Sequence, residues 1–192
     1  MPVNIPNLLT WLRILLIPLL VSIYYFPSTW VDDHERNVLA TMVFTLAAIT
    51  DWLDGYLARL LKQASAFGAF LDPVADKLMV CAALIVLVWL NRVDAFIAVI
   101  IIGREIAISA LREWMAKLGQ GTSVAVSYLG KIKTTSQMIA IALLLYHDRV
   151  SVINAQWVGT WLIYVAAGLT LWSMAYYLRR AAPKVKGSSD SV

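Results

Sequence analysis

Six stretches of this chain are apolar for long enough to cross a lipid bilayer as helices. A helix rises about 1.5 Å per residue, so about 20 apolar residues cover about 30 Å of hydrocarbon. Stretches 8–26, 38–61, 69–90, 95–116, 130–146 and 157–178 meet that length, some only when a polar end is counted. With no water inside the bilayer to take up backbone N–H and C=O groups, such a chain is expected to be all-α, a polytopic membrane protein of six helices. Composition agrees. Of 192 residues, 60% are apolar and 15% charged, and the mean hydropathy is +0.72, whereas a soluble domain carries about 25% charge. That balance excludes a disordered chain, a collagen-like chain, a nucleic-acid-binding tail and an ordinary cytosolic enzyme. Cys81 is the single cysteine, so no intramolecular disulfide forms. His34 and His147 fall in different polar gaps, which argues against a His-rich zinc site.

The gaps alternate in charge. Gap 27–37 carries Asp32, Asp33 and Glu35 against Arg36, and gaps 91–94 and 147–149 are mixed. Arg59, Lys62 and Lys77 flank the second gap; Lys117, Lys131 and Lys133 flank the fourth; Arg179, Arg180, Lys184 and Lys186 follow the last stretch. The positive-inside rule then places both termini and the even gaps in the cytoplasm. The net charge of +4 reads as an orientation signal, and no nucleic-acid partner is expected. The first stretch holds Arg13 and Pro18 with no small-residue cleavage site after it, unlike a signal peptide. Segment 4–13 mixes polar and apolar residues and is expected to lie as a short amphipathic helix on the inner surface. Residues 1–182 are expected to form one transmembrane domain, and 183–192 a polar, disordered tail.

Charges inside the stretches gather at one depth. Counting from the outer ends, Asp51 lies roughly 20 Å down, Asp54 roughly 24 Å, Asp76 roughly 21 Å and Asp72 roughly 27 Å. Arg104 lies roughly 14 Å down, Arg112 roughly 26 Å and Lys131 roughly 22 Å. Ionisable groups in a bilayer are costly and are usually functional. Paired charges gluing a bundle are the bland alternative, but isolated buried pairs rarely repay their desolvation.

The densest signal is Asp51-Trp-Leu-Asp54-Gly55-Tyr-Leu-Ala58-Arg59, followed by Gly68-Ala-Phe-Leu-Asp72-Pro-Val-Ala-Asp76. At about 100° per residue, Asp51, Asp54, Gly55 and Ala58 share one helix face. Asp72 and Asp76 stack at i,i+4 on the next helix. A short turn joins the two helices, which are therefore expected to be antiparallel neighbours. Four carboxylates meeting there would repel unless something positive sits between them. Oxygen-only donors suit Mg²⁺ or Mn²⁺, and four of them suit two such divalent cations, the arrangement that clamps a phosphate during displacement. Gly55, Ala58 and Gly68 leave room for a substrate beside the acids, and Arg59 is placed to meet a phosphate. Each has a plainer alternative: helix packing for Gly55 and Ala58, an interfacial anchor for Arg59, and an N-cap followed by a helix-starting proline for Asp72-Pro73.

Residues 51–76 read D-x2-D-G-x2-A-R-x8-G-x3-D-x3-D. This resembles the signature of the CDP-alcohol phosphotransferases, integral membrane enzymes of phospholipid synthesis. The resemblance implies that Asp51, Asp54 and Asp72 bind metal, that Asp76 is both ligand and catalytic base, and that Gly55, Ala58, Arg59 and Gly68 line the CDP-diacylglycerol site. It further implies a homodimer in the bacterial inner membrane, with its active site on the cytoplasmic side.

The acceptor site is expected near the metals, with charge opposite to its substrate. Three deep cations, Arg104, Arg112 and Lys131, point to an anionic acceptor, with arginine offering a planar fork and lysine a point charge. The bland alternative pairs Arg104 with Glu105 and Arg112 with Glu113. The flanks 4–13, 103–114 and 130–138 resemble the bacterial branch of the family whose acceptor is sn-glycerol 3-phosphate. By that likeness Arg104, Arg112 and Lys131 hold the glycerol phosphate, Asn7, Thr10 and Arg13 shape the rim, and Lys133 faces substrate or headgroups. The implied reaction gives phosphatidylglycerophosphate and CMP. Two alternatives remain at this stage. One is a sister enzyme with another acceptor, such as phosphatidylglycerol. The other is a cation or proton transporter, although a continuous polar path through the outer halves of the stretches is not suggested.

Overall fold

The computed structural model describes residues 5–61, 66–117, 128–150 and 153–189; within the helices, the side chains of 5–7, 54–61, 66–67, 69–70, 112, 115–117, 128–133 and 175–189 lie outside the described set. Among the described residues six α-helices follow in chain order: α1 Ile5–Ser22, α2 Asp33–Leu61, α3 Ala66–Trp89, α4 Ala95–Lys117, α5 Tyr128–Tyr146 and α6 Ala155–Ser189. A 3-10 turn, Ile23–Tyr25, follows α1. The other regular element is a minimal antiparallel pairing of Arg149–Val150 (β1) with Ile153–Asn154 (β2). The all-α expectation holds.

Helix starts follow local chemistry. Ahead of α2, Asp32 Oδ1 accepts from the Glu35 N–H at 2.7 Å and Glu35 Oε2 accepts from the Asp32 N–H at 3.0 Å, a reciprocal capping box. Asp94 Oδ1 accepts from the Phe96 N–H at 2.7 Å at the head of α4, and Asn154 Oδ1 accepts from the Trp157 N–H at 3.2 Å at the head of α6.

Several boundaries differ from the sequence-based expectations. α1 runs unbroken from Ile5, so no separate surface helix precedes the first apolar stretch. Its polar residues Thr10 and Arg13 lie buried on the same stripe as Leu16 and Leu20, which gives the chain no reason to turn between them. α3 begins well before Pro73, which sits inside the helix, so Asp72-Pro73 is not a helix start. α6 continues through Pro183 to Ser189, where an unstructured tail was expected. Extending an existing helix costs far less than nucleating one.

Packing also differs in one respect that matters for the site. α2 and α3 touch only slightly, and each packs more extensively on α1. α5 packs most extensively on α6 and also on α2, while α4 rests on α6. At Gly159 of α6 an added Cβ would stand 2.8 Å from Leu144 Cγ and 3.2 Å from the Ala140 carbonyl oxygen, so the α5–α6 approach depends on that missing side chain. The core joins Leu16 and Leu20 to Phe44, Leu84, Leu87 and Ile101, and on to Leu144 and Ile163.

Among the described residues, two helical stretches, Leu8–Tyr25 and Ala155–Met174, are long and apolar enough to cross a membrane. α3 and α4 have the length, but Asp72, Asp76 and Lys77 interrupt the first and Arg104, Glu105 and Arg112 the second. The outer faces are strongly apolar. Leu15, Met42, Ile49, Ile85, Val99 and Trp172 are all exposed, more than scattered surface residues account for.

Candidate active site

Buried residues recur at three- and four-residue spacing, and on five helices this stripe turns polar toward one end of the bundle. On α1, Leu20 and Leu16 give way to Arg13 and Thr10; on α4, Ala98 and Ile101 lead to Arg104; on α5, Leu144 and Ile141 lead back to Gln137. On α2, Phe44 and Ala47 precede Asp51, and on α3, Met79 and Ala83 lie one and two turns beyond Asp76. Helical periodicity thus delivers polar groups to one place by the same repeat that builds the core.

They surround a cavity of about 520 Å³, lined among others by Asp51, Asp76, Lys77, Arg104, Glu105 and Gln137. Thr134 and Thr135 of α5 complete its polar wall. α1 holds the acids from behind. Arg13 Nη1 stands 2.8 Å from Asp51 Oδ1, with Arg13 1% and the Asp51 side chain 44% exposed. Thr10, also 1% exposed, donates its hydroxyl to Asp72 Oδ1. Asp76 makes no direct hydrogen bond among the described residues, and Asp51, Arg13, Glu105 and Lys77 lie within electrostatic reach of it. Arg104, 8% exposed, pairs with the neighbouring Glu105 at 2.6 Å, while its Nε has no partner among the described residues.

The structure brings Asp51, Asp76 and Arg104, all expected at the site, to one cavity. Asp72 is placed through Thr10, and its neighbour Pro73 lines the wall. Thr10 and Arg13, assigned to the rim, are instead buried struts between α1 and the acids. Gly68 is buried on α3. The side chains of Asn7, Asp54, Gly55, Ala58, Arg59, Arg112, Lys131 and Lys133 lie outside the described residues. The bland Arg104–Glu105 pair does form, yet Arg104 still lines the cavity. Two residues were missed as site members, Lys77 and Gln137. Lys77 was read only as an orientation charge. Gln137 lies six residues after Lys131 on the face that also carries Thr134, a signal visible in the helical spacing.

The donor chemistry fits a hard divalent cation. Asp51 and Asp72 each commit one carboxylate oxygen to α1, which leaves the other in a fixed orientation, the usual arrangement behind a metal ligand. Among the described residues no three acids converge on a single point, and the Asp54 side chain is not one of them.

Residues 3–172 match the CDP-alcohol phosphatidyltransferase family. The chain belongs to that family. Its relatives among the CDP-alcohol phosphatidyltransferases include proteins named CDP-diacylglycerol–glycerol-3-phosphate 3-phosphatidyltransferase. The one from Shigella flexneri serotype 5b is 49% identical over 187 residues, covering 94% of this chain and 96% of the relative. Those from Salmonella choleraesuis and Escherichia coli K12 are each 48% identical over the same shares. Asp51, Asp76 and Arg104 all lie within the matched residues.

Proposed function

We propose that the chain transfers the phosphatidyl group of CDP-diacylglycerol to sn-glycerol 3-phosphate, yielding phosphatidylglycerophosphate and CMP. The observation that carries this reading is a single cavity in which carboxylates of α2 and α3 face a buried guanidinium of α4. Such a pairing suits a reaction between one phosphate held through cations and a second, anionic reactant.

Asp51, Asp54, Asp72 and Asp76 would hold two divalent cations, Mg²⁺ or Mn²⁺. When bound, these supply charge withdrawal from the phosphoryl oxygens. Gly55, Ala58, Arg59 and Gly68 line the site of the CDP moiety, with the acyl chains left in the bilayer. Arg104, Arg112 and Lys131 take the phosphate of the acceptor. The acceptor's sn-1 hydroxyl attacks the lipid-side phosphorus; the new O–P bond forms as the bond to CMP breaks, and Asp76 takes the hydroxyl proton. Arg13 and Thr10 act from behind, fixing the Asp51 and Asp72 carboxylates so that they need not reorganise during the reaction.

Six membrane-spanning helices with both termini cytoplasmic would set this cavity beneath the inner surface of the bacterial cytoplasmic membrane. Exposed Tyr25, Trp30, Trp89, Phe96 and Trp157 at the opposite end of the bundle match an interfacial aromatic belt, with Tyr25 stacked on Trp89 at 5.8 Å between ring centroids. A homodimer is part of this reading by family likeness. The deciding assay is CMP release from CDP-diacylglycerol by purified protein. Release should require both glycerol 3-phosphate and a divalent ion and stop in chelator. Acceptor-independent release would contradict the proposed transfer.

A further inference from the structure

Glycerol 3-phosphate has three polar groups, and the proposed mechanism uses two of them. The phosphate goes to cationic side chains and the sn-1 hydroxyl goes to Asp76. The sn-2 hydroxyl is left without a partner, and burying a hydroxyl without one is unfavourable.

Gln137 is a buried polar side chain of the cavity that the proposed mechanism does not use. It is 3% exposed and lines the same cavity as Asp51, Asp76 and Arg104. Its Oε1 is sealed from solvent and has no hydrogen-bond partner among the described residues. On α5 it stands where the buried stripe of Leu144 and Ile141 turns polar, one turn from Ile141 and one turn from Thr134. Packing alone gives no reason for an amide there, since methionine has nearly the same shape and carries no desolvation penalty. A buried amide oxygen that lacks an internal partner among the described residues is explained if a ligand supplies one. A hydroxyl is well suited to it, because it both donates and accepts and so pairs with either end of the amide.

We infer that Gln137 is the residue that recognises the sn-2 hydroxyl of the acceptor, and so selects a glycerol phosphate over a phosphate-bearing alcohol that lacks this group. The inference rests on the proposed acceptor and adds a specificity determinant to it. Gln137 touches the acceptor away from the reacting atoms. Its loss should therefore change which acceptor is used more than how tightly the lipid donor is held.

The test compares two acceptors, sn-glycerol 3-phosphate and 3-hydroxypropyl phosphate, which lacks the sn-2 hydroxyl. Full-length protein and its Gln137→Met variant are assayed for CMP release. Wild type should prefer glycerol 3-phosphate by about tenfold or more in kcat/KM, the discrimination one buried hydrogen bond supplies. In Gln137→Met the two acceptors should come within about threefold of each other, with KM for CDP-diacylglycerol unchanged. The thermal midpoint of the substrate-free variant in detergent should stay level or rise, because an unsatisfied buried amide has been removed. Gln137→Asn, which keeps the amide but draws it back by one methylene, should also lose discrimination and serves if the methionine variant does not fold. Equal loss of rate with both acceptors together with a lowered midpoint would mean a structural role and overturn the assignment. Preserved discrimination in both variants would overturn it as well. If wild type releases no CMP with glycerol 3-phosphate, the acceptor reading itself fails, which is a separate result.

Discussion

Asp76 is the described carboxylate with the least protein bonding, and it faces the cavity. That suits a group that must accept a proton and release it again. Asp76→Asn is expected to lower kcat by about 10²–10⁴-fold while leaving KM for CDP-diacylglycerol within about threefold. Steady-state kinetics with each substrate varied in turn will check this, and unchanged turnover would remove Asp76 from the base role. Thr10 gives a quieter variant. Thr10→Val keeps the shape but removes the donor to Asp72. It should raise the divalent-ion concentration for half-maximal activity by about 10–100-fold, the usual cost of losing support behind a ligand. A metal titration that overlays wild type would show that Thr10 only packs. Both residues stand in the sequence among polar groups at plausible depth. Only the packed helices show that one faces the cavity and the other stands behind an acid.

At the scale of elements, the end of the bundle away from the acids is tied by Arg92. Its Nη1 donates to the carbonyl oxygens of Leu144 and Leu145 at 3.2 and 2.8 Å, and its Nη2 to Asn37 Oδ1 at 2.7 Å. A cation on the last carbonyls of a helix satisfies orphan acceptors and complements the helix dipole. One side chain from the α3–α4 turn thus joins α2 to the end of α5. Arg92→Leu should lower the thermal midpoint in detergent with little change in kcat per folded molecule. His147 follows directly, in the left-handed region at φ 62°. Burial, and after it Arg92, holds its imidazole below the usual range, with Asp148 opposing. The sign follows from linkage. The folded state binds this proton less readily than the unfolded chain, so the stability contribution is present above about pH 6.5 and is lost as pH falls toward the folded value. Thermal melts between pH 7.5 and 5.5 should show destabilisation on acidification. His147→Asn, which tolerates the same backbone, should flatten that dependence; an unchanged slope would place the pH response elsewhere.

At the scale of the whole molecule, the proposed topology sets the acids and the basic gaps on the cytoplasmic side. With Cys81→Ser as background, Lys117→Cys should react with a membrane-impermeant maleimide only after permeabilisation, whereas Asp33→Cys should react in intact spheroplasts. The reverse pattern would invert the molecule in the membrane and detach the site from cytoplasmic CDP-diacylglycerol.

The identity of the acids, their spacing and the helical class were legible in the chain. Hydrocarbon length sets the helices, and an i,i+3/i+4 repeat sets which residues share a face. These are local rules that need no neighbour. What they could not supply was which helix lies against which. A short turn between α2 and α3 made them neighbours, and they do touch, yet each packs more extensively on α1, because faces choose partners by shape and by pairing buried charge. Arg13 and Thr10 therefore read as rim residues until their partners, 38 and 62 positions away, were in place. Gln137, after Thr134, Thr135 and Ser136, carried no role in the sequence for the same reason. A side chain's role depends on what its buried atoms meet, and that is decided by tertiary packing alone.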